Sequence, residues 1–166
     1  RTSEAGYGRT MVASPSDDPA DIDLGAIWES LRQGRAAVCG GMFVYLRLGD
    51  AAPGDLVQAD APFEIQLHVE AAEWVPVASV RLIGNGDTVA ELPLEPAGRV
   101  EPARPAVRFH GTVTVAPDVD TWYAAVASGG ESDTLGPVCR GCRPVGMTNA
   151  VRVDLDGNGR FDPPAR

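Results

Sequence analysis

The chain has no lysine. Its 14 basic residues are all arginine and face 23 Asp and Glu, for a formal net charge of −9. An acidic chain repels phosphate backbones, so DNA and RNA are not expected partners. The arginine-only bias, with abundant Ala, Gly, Pro and Val, reads as genomic base composition rather than function. No apolar run approaches the roughly 18 residues that a membrane-spanning helix needs, so membrane insertion is not expected. Histidine is scarce: only His68 and His110 occur, each alternating with polar residues (Glu64, Gln66 and Glu70; Arg108 and Thr112) as on a polar strand face, with no HxH pair. A hydrolytic centre of two or three metal ions needs several His and Asp/Glu ligands. The chain is therefore read as having no catalytic residues and no hydrolase activity of its own. No GxSxG elbow is present for a serine nucleophile, and no Walker A or GxGxxG loop for a nucleotide. There is no secretory signal peptide, and the chain opens on Arg1 without a methionine, which reads as excision from a longer precursor.

What is there points to a mainly β fold. The length, 166 residues, suits one domain with a sizeable core. Residues 1–20 are polar and rich in Pro, Ser and Asp, a lead-in segment, and 21–166 are read as a single domain. Residues 21–33 carry the one helical pattern: Leu24, Ile27, Trp28 and Leu31 fall on one stripe, Asp21 or Asp23 caps the start, and Gly34 stops the end. The period then changes to two. Met42, Val44, Leu46 and Leu48 alternate with Phe43, Tyr45 and Arg47, and Phe63, Ile65, Leu67 and Val69 alternate with Glu64, Gln66, His68 and Glu70. Residues 77–83 and 88–94 flank Gly84-Asn85-Gly86-Asp87, a hairpin turn. Val107 to Val115 alternate in the same way, with Arg108 and His110 on the polar side. Trp122, Ala124 and Val126 mark another strand, and residues 149–155 the last. Turns are expected at 51–55, 97–105 and 117–120. Seven or eight short strands with turns predict an antiparallel, immunoglobulin-like β-sandwich with one N-terminal helix. Residues 129–148 form a loop longer than usual.

Cys139-Arg140-Gly141-Cys142 has metal and redox spacing, but Pro137, Gly141, Pro144 and Gly146 forbid the helix that a thioredoxin-type motif opens. A disulfide, pairing Cys139 with Cys142 or Cys39 with either, fits an exported protein. A zinc site from the three cysteines and a histidine, or free thiols, are the other readings. The cysteines alone do not settle the compartment; an extracellular or periplasmic location is the expectation. Trp28, Trp74 and Trp122 are read as core packing rather than a sugar-stacking platform, with Trp74 the best candidate for exposure.

The stretch Asp154-Leu155-Asp156-Gly157-Asn158-Gly159-Arg160-Phe161-Asp162 places oxygens at alternate positions on a tight glycine-containing turn. Counted as an EF-hand loop, Asp154, Asp156, Asn158 and Asp162 are positions 1, 3, 5 and 9, Gly159 is the turn glycine, and the Arg160 carbonyl is position 7. Position 12 is Ala165 rather than a bidentate Glu, and Pro163-Pro164 bars an exiting helix. The two readings are a weak structural Ca²⁺ site and an Asx turn bonded to its own backbone.

Three stretches carry a family resemblance. Gly6-Tyr7-Gly8-Arg9-Thr10 with Ser16-Asp17-Asp18-Pro19 resembles the segment after the last metal-binding motif of the barrel in PHP-like metal-dependent hydrolases of the CehA/McbA type. Leu31-Arg32-Gln33-Gly34-Arg35, a strand, then Gly41-Met42-Phe43 resembles a second signature of that family. Thr148-Asn149-Ala150-Val151 followed by Asp154 to Phe161 resembles its closing signature. Cys39-Gly40-Gly41-Met42 stands where the family tends to have Thr-Asn-Gly-Pro, and Ala150 where a proline is usual. The resemblance implies the small β-sandwich that follows the catalytic barrel, hence a non-catalytic accessory domain. Its partner would be a PHP-like barrel, in the parent protein or in a partner chain, with the helix stripe bridging the two. The alternative from another class is an independent secreted binding module for carbohydrate or another surface ligand.

Overall fold

A computed structural model describes residues 7–94, 106–136, 138–162 and 164. The turn expected at 97–105, the first six residues of the lead-in, Pro137 beside the CxxC, and Pro163 and Ala165 of the EF-hand count lie outside the described residues.

The helix, α1, runs Leu24–Gln33: it ends where expected but starts three residues after the expected 21, because Asp23 rather than Asp21 caps it and Pro19–Asp21 form a separate 3-10 turn. Asp23 accepts from the N–H groups of Gly25 and Ala26, satisfying two donors of the first turn, and Gly34 at φ 76° closes the end by donating to the Leu31 carbonyl. Eleven strands are described: β1 Arg9–Val12, β2 Ala36–Gly40, β3 Met42–Arg47, β4 Leu56–Gln58, β5 Phe63–Ala71, β6 Ser79–Gly84, β7 Asp87–Pro93, β8 Val107–Val115, β9 Thr121–Ser128, β10 Val145–Thr148 and β11 Val151–Asp154. One sheet is β3-β5-β8. In the other, β6 lies between β7 and β9, and β9 passes its far edge first to β11 and then to β10, which pair with β4 and β2; β1 borders β2. Among the described strands, all pairings are antiparallel except β11 with β4; the isolated bridge between Gly41 and Val145 is also parallel. Together they form a mainly β sandwich.

Two inner faces make the core. Met42, Val44, Leu46, Ile65, Leu67 and Val69 from the small sheet meet Val80, Leu82, Tyr123, Ala125, Ala127, Val151 and Val153 from the large one. The alternation read in β3 and β5 is therefore the buried/exposed alternation of the structure. The β6–β7 hairpin turns at Asn85 (φ 50°) and Gly86 (φ 99°), where two consecutive left-handed residues match the strands' twist.

Several expectations need correction. There are more strands than the seven or eight expected, because β1 forms within the lead-in and β2, β4 and β10 are too short for periodicity to reveal. β10 also ends the long loop at Pro144 rather than at 148. In β9 the inward residues are Thr121, Tyr123, Ala125 and Ala127, leaving Trp122 half-buried on the other face. Both alternating sets there are apolar, so the period does not choose a face. Arg108 is buried rather than on the polar side. A bulge in the β5–β8 pairing at Glu70 displaces it inward, where Nη1 donates to the carbonyls of Ala72 and Val75. Trp28 is not core: it is 68% exposed, and α1 has no buried residue. Trp74 is exposed, as expected.

Candidate metal centre

The end of β11 builds the most organised polar cluster among the described residues. Val151 and Val153 anchor the strand in the core, and the next residue, Asp154, is only 2% exposed. The chain turns back at once. Gly157 (φ 72°) and Gly159 (φ 82°) both adopt left-handed backbone that side-chain-bearing residues resist. This aims successive N–H groups at Asp154: Oδ1 accepts from Gly157 at 2.7 Å and Asn158 at 3.2 Å, and Oδ2 accepts from Gly159 at 2.7 Å. Burial pushes the Asp154 carboxyl up, but the N–H groups of Gly159, Gly157 and Asn158 and the side chain of Asp156 outweigh it, leaving the pKa below the ordinary value.

A residue that local spacing does not point to completes the cluster. Asp120, 6% exposed, lies on the β8–β9 connection and reaches across to the loop. Its Oδ1 accepts from Leu155 N–H and its Oδ2 from Asp162 N–H, both at 2.8 Å. Asn85 in the hairpin turn fixes this connection: its amide donates to the Asp120 carbonyl and to Thr121 Oγ1, and accepts from Trp122 N–H. Asp120, Asp154 and Asp156 each bring a carboxylate oxygen within 4.8 Å of the others.

The structure thus brings Asp154 and Asp156 together and adds Asp120. Asp162 is held beside them, its carboxylate accepting from Asn158 Nδ2 at 2.8 Å. Asn158 also donates to Asp156, while its own Oδ1 accepts from Arg160 N–H. To serve a cation, Asn158 has to turn its amide and present Oδ1. The Asx-turn bonds are therefore present in full. Asp154 Oδ1 is filled by two N–H groups, but Asp154 Oδ2 and the two Asp120 oxygens each accept one of these bonds and keep a second lone pair, so the turn does not use up the site. Three carboxylates converging on one cleft offer the hard oxygen donors that Ca²⁺ takes. Asp120 carries no signal in its own neighbourhood; only the approach of the β8–β9 connection to the end of β11 reveals it.

The other sequence candidates resolve as follows. Cys139 and Cys142 form a disulfide, and Cys39 is a buried free thiol, so the four-ligand zinc arrangement does not form. Near Cys39, a groove of about 300 Å³ opens between β2 and β3, lined by Met11, Ala37, Phe43, Tyr45 and Arg47. Comparison with protein families, with curated proteins and with solved structures finds no match for this chain.

Proposed function

We propose that this chain is a non-catalytic accessory domain that docks against a catalytic barrel, as the resemblance to PHP-like metal-dependent hydrolases implies, with an immunoglobulin-like sandwich as its frame. The observation that carries this reading is the apolar stripe of α1. Leu24 is 76% exposed, Trp28 68% and Leu31 43%, and Ile22 beside them is exposed as well. A capped helix with an amphipathic pattern that buries none of its residues has its partner surface outside this fold. Val38, Val145 and Met147 add exposed apolar area on the outer face of the large sheet. In this reading the 154–162 loop, with Asp120, holds Ca²⁺ in a structural role, and the disulfide suits an extracellular or periplasmic location.

The test supplies a PHP-type barrel in cis or in trans and follows hydrogen exchange in α1 with acrylamide quenching at Trp28. Docking protects both, and Trp28→Asp abolishes the protection. Unchanged exchange and quenching would sink the proposal. The alternative of a carbohydrate-binding module rests on exposed Trp74. Loss of binding to an oligosaccharide array in Trp74→Ala, with none in Trp28→Asp, would favour it over docking.

A further inference from the structure

Only two histidines occur in the chain, 42 positions apart by their numbers, and the β5–β8 register makes them direct partners. His68 pairs with His110 across the strands, and Tyr45 of β3 pairs with His68 on the other side. The three rings form a row across the outer face of the small sheet. The two imidazole centroids are 5.6 Å apart at 70°, and Tyr45 packs its ring 5.6 Å from that of His68. Glu70, two residues along the same strand face, places Oε1 2.9 Å from His68 Nε2.

We propose that His68, His110 and Glu70 form a two-histidine, one-carboxylate site for a divalent transition-metal ion of the imidazole-preferring kind, Zn²⁺ or Cu²⁺. Metal–nitrogen bonds of about 2.0–2.1 Å put each ring centroid roughly 3.2 Å from the ion, so two cis imidazoles at about 100–110° sit with centroids about 5 Å apart. The observed 5.6 Å is about half an ångström longer than that. His68 Nε2 and Glu70 Oε1 are hydrogen-bonded to each other at 2.9 Å; an ion would replace the proton they share, with the two ligand atoms easing apart to the about 2.9–3.4 Å that such bond lengths set. With the ion on Nε2, His68 keeps its proton on Nδ1.

As the side chains stand, the three ligand atoms are not all within 4.8 Å of one another, unlike those of the Asp120–Asp154–Asp156 set. The missing adjustment is rotation of the His110 ring about its own side-chain bonds, which its exposed position leaves room for. The backbone need not move. β5 is held on both sides, by β3 and β8, and its inward residues Ile65, Leu67 and Val69 are fully buried. The pair is therefore preorganised on paired strands rather than carried on loops. Imidazole with carboxylate selects Zn²⁺ and Cu²⁺ over Ca²⁺, so this site and the acidic loop sort different ions.

The experiment uses the full chain without a polyhistidine tag, in excess Ca²⁺ to keep the acidic loop out of the titration. Cu²⁺ coordination is read by electron paramagnetic resonance and Zn²⁺ affinity by calorimetry. One equivalent of Cu²⁺ with two imidazole nitrogens is expected. His68→Ala and His110→Ala should each lower Zn²⁺ affinity at least tenfold and leave a one-nitrogen Cu²⁺ spectrum. Glu70→Gln should weaken binding while keeping both nitrogens, and Asp156→Ala should leave this site unchanged. Melting curves in chelator confirm that each variant folds. A wild-type spectrum with one nitrogen, or a His110→Ala affinity within twofold of wild type, would overturn the site.

Discussion

Asp120 offers the sharpest test of the acidic loop, because it lies far from the loop in sequence and only the fold brings it there. If Ca²⁺ binds with Kd on the order of 10⁻⁴–10⁻³ M, the range of extracellular Ca²⁺ modules, then Ca²⁺ at ten times Kd stabilises the fold by RT ln 11, about 1.4 kcal/mol. For a domain of this length that is a rise in Tm of about 3–6 °C. Asp120 supplies one of three converging carboxylates, so Asp120→Asn, which keeps an acceptor oxygen but loses the charge, should forfeit most of the rise. Asp120→Ala should lose it entirely. It should also lower Tm in chelator, because the charge-assisted bonds to Leu155 and Asp162 N–H go with it. The freed donors lie near the rim and regain water in part, so that second cost is about 2–4 kcal/mol. The assay is thermal unfolding of the three proteins with millimolar Ca²⁺ and with chelator. A wild-type Tm that ignores Ca²⁺, or a rise equally large in Asp120→Ala, would refute the reasoning and leave the loop as an Asx-bonded turn.

Further outcomes follow from the same structure. The Asp154 carboxyl titrates below its ordinary value of 3.8, so its contribution is complete above that pH and is lost as pH falls through the folded value. Between pH 5 and 2, Tm should therefore fall more steeply in wild type than in Asp154→Asn, with Asp50→Asn, an exposed position outside the loop, as the charge-matched comparison; parallel curves would contradict this. Leu67→Ala empties fully buried core space and should cost about 2–5 kcal/mol by urea unfolding, and a loss below 1 kcal/mol would mean the sheets can close the gap. Gly146→Ala places a Cβ 2.6 Å from Val44 Cγ2 and 2.7 Å from the Met42 carbonyl, where β10 crosses under β3. It should cost at least about 1–3 kcal/mol through overpacking, and a neutral Tm would show that the two strands can separate. In the isolated chain Leu24→Gln should change stability by no more than about 0.5 kcal/mol, because the side chain is exposed; a larger loss measured by urea unfolding would place the stripe inside this fold.

Local sequence determined the elements whose signals are short-range. α1 has its boundaries because Asp23 and Gly34 complete its ends, and the hairpin turns at Asn85-Gly86 because those residues accept left-handed backbone. β5 faces the core as its period-two pattern requires, since one alternating set is apolar and the other polar, and β3 follows with aliphatic Met42, Val44 and Leu46 inward and Phe43, Tyr45 and Arg47 outward. The Asp154–Asp162 loop was legible for the same reason: its donors, acceptors and glycines are neighbours in the chain. Tertiary structure decided whatever depended on strand partner and register. In β9 both alternating sets are apolar, so only the opposing sheet selected Tyr123 over Trp122 for the core. The stripe of α1 specified an apolar helix face, but periodicity contains nothing about whether its cover lies in the same fold, and Trp28 stayed outside. Asp120 reached the loop, and His68 met His110, through pairings that no local pattern records. Periodicity says which way a side chain points along its own strand. Which residue it meets is set by how whole strands pack together, a property of the folded chain.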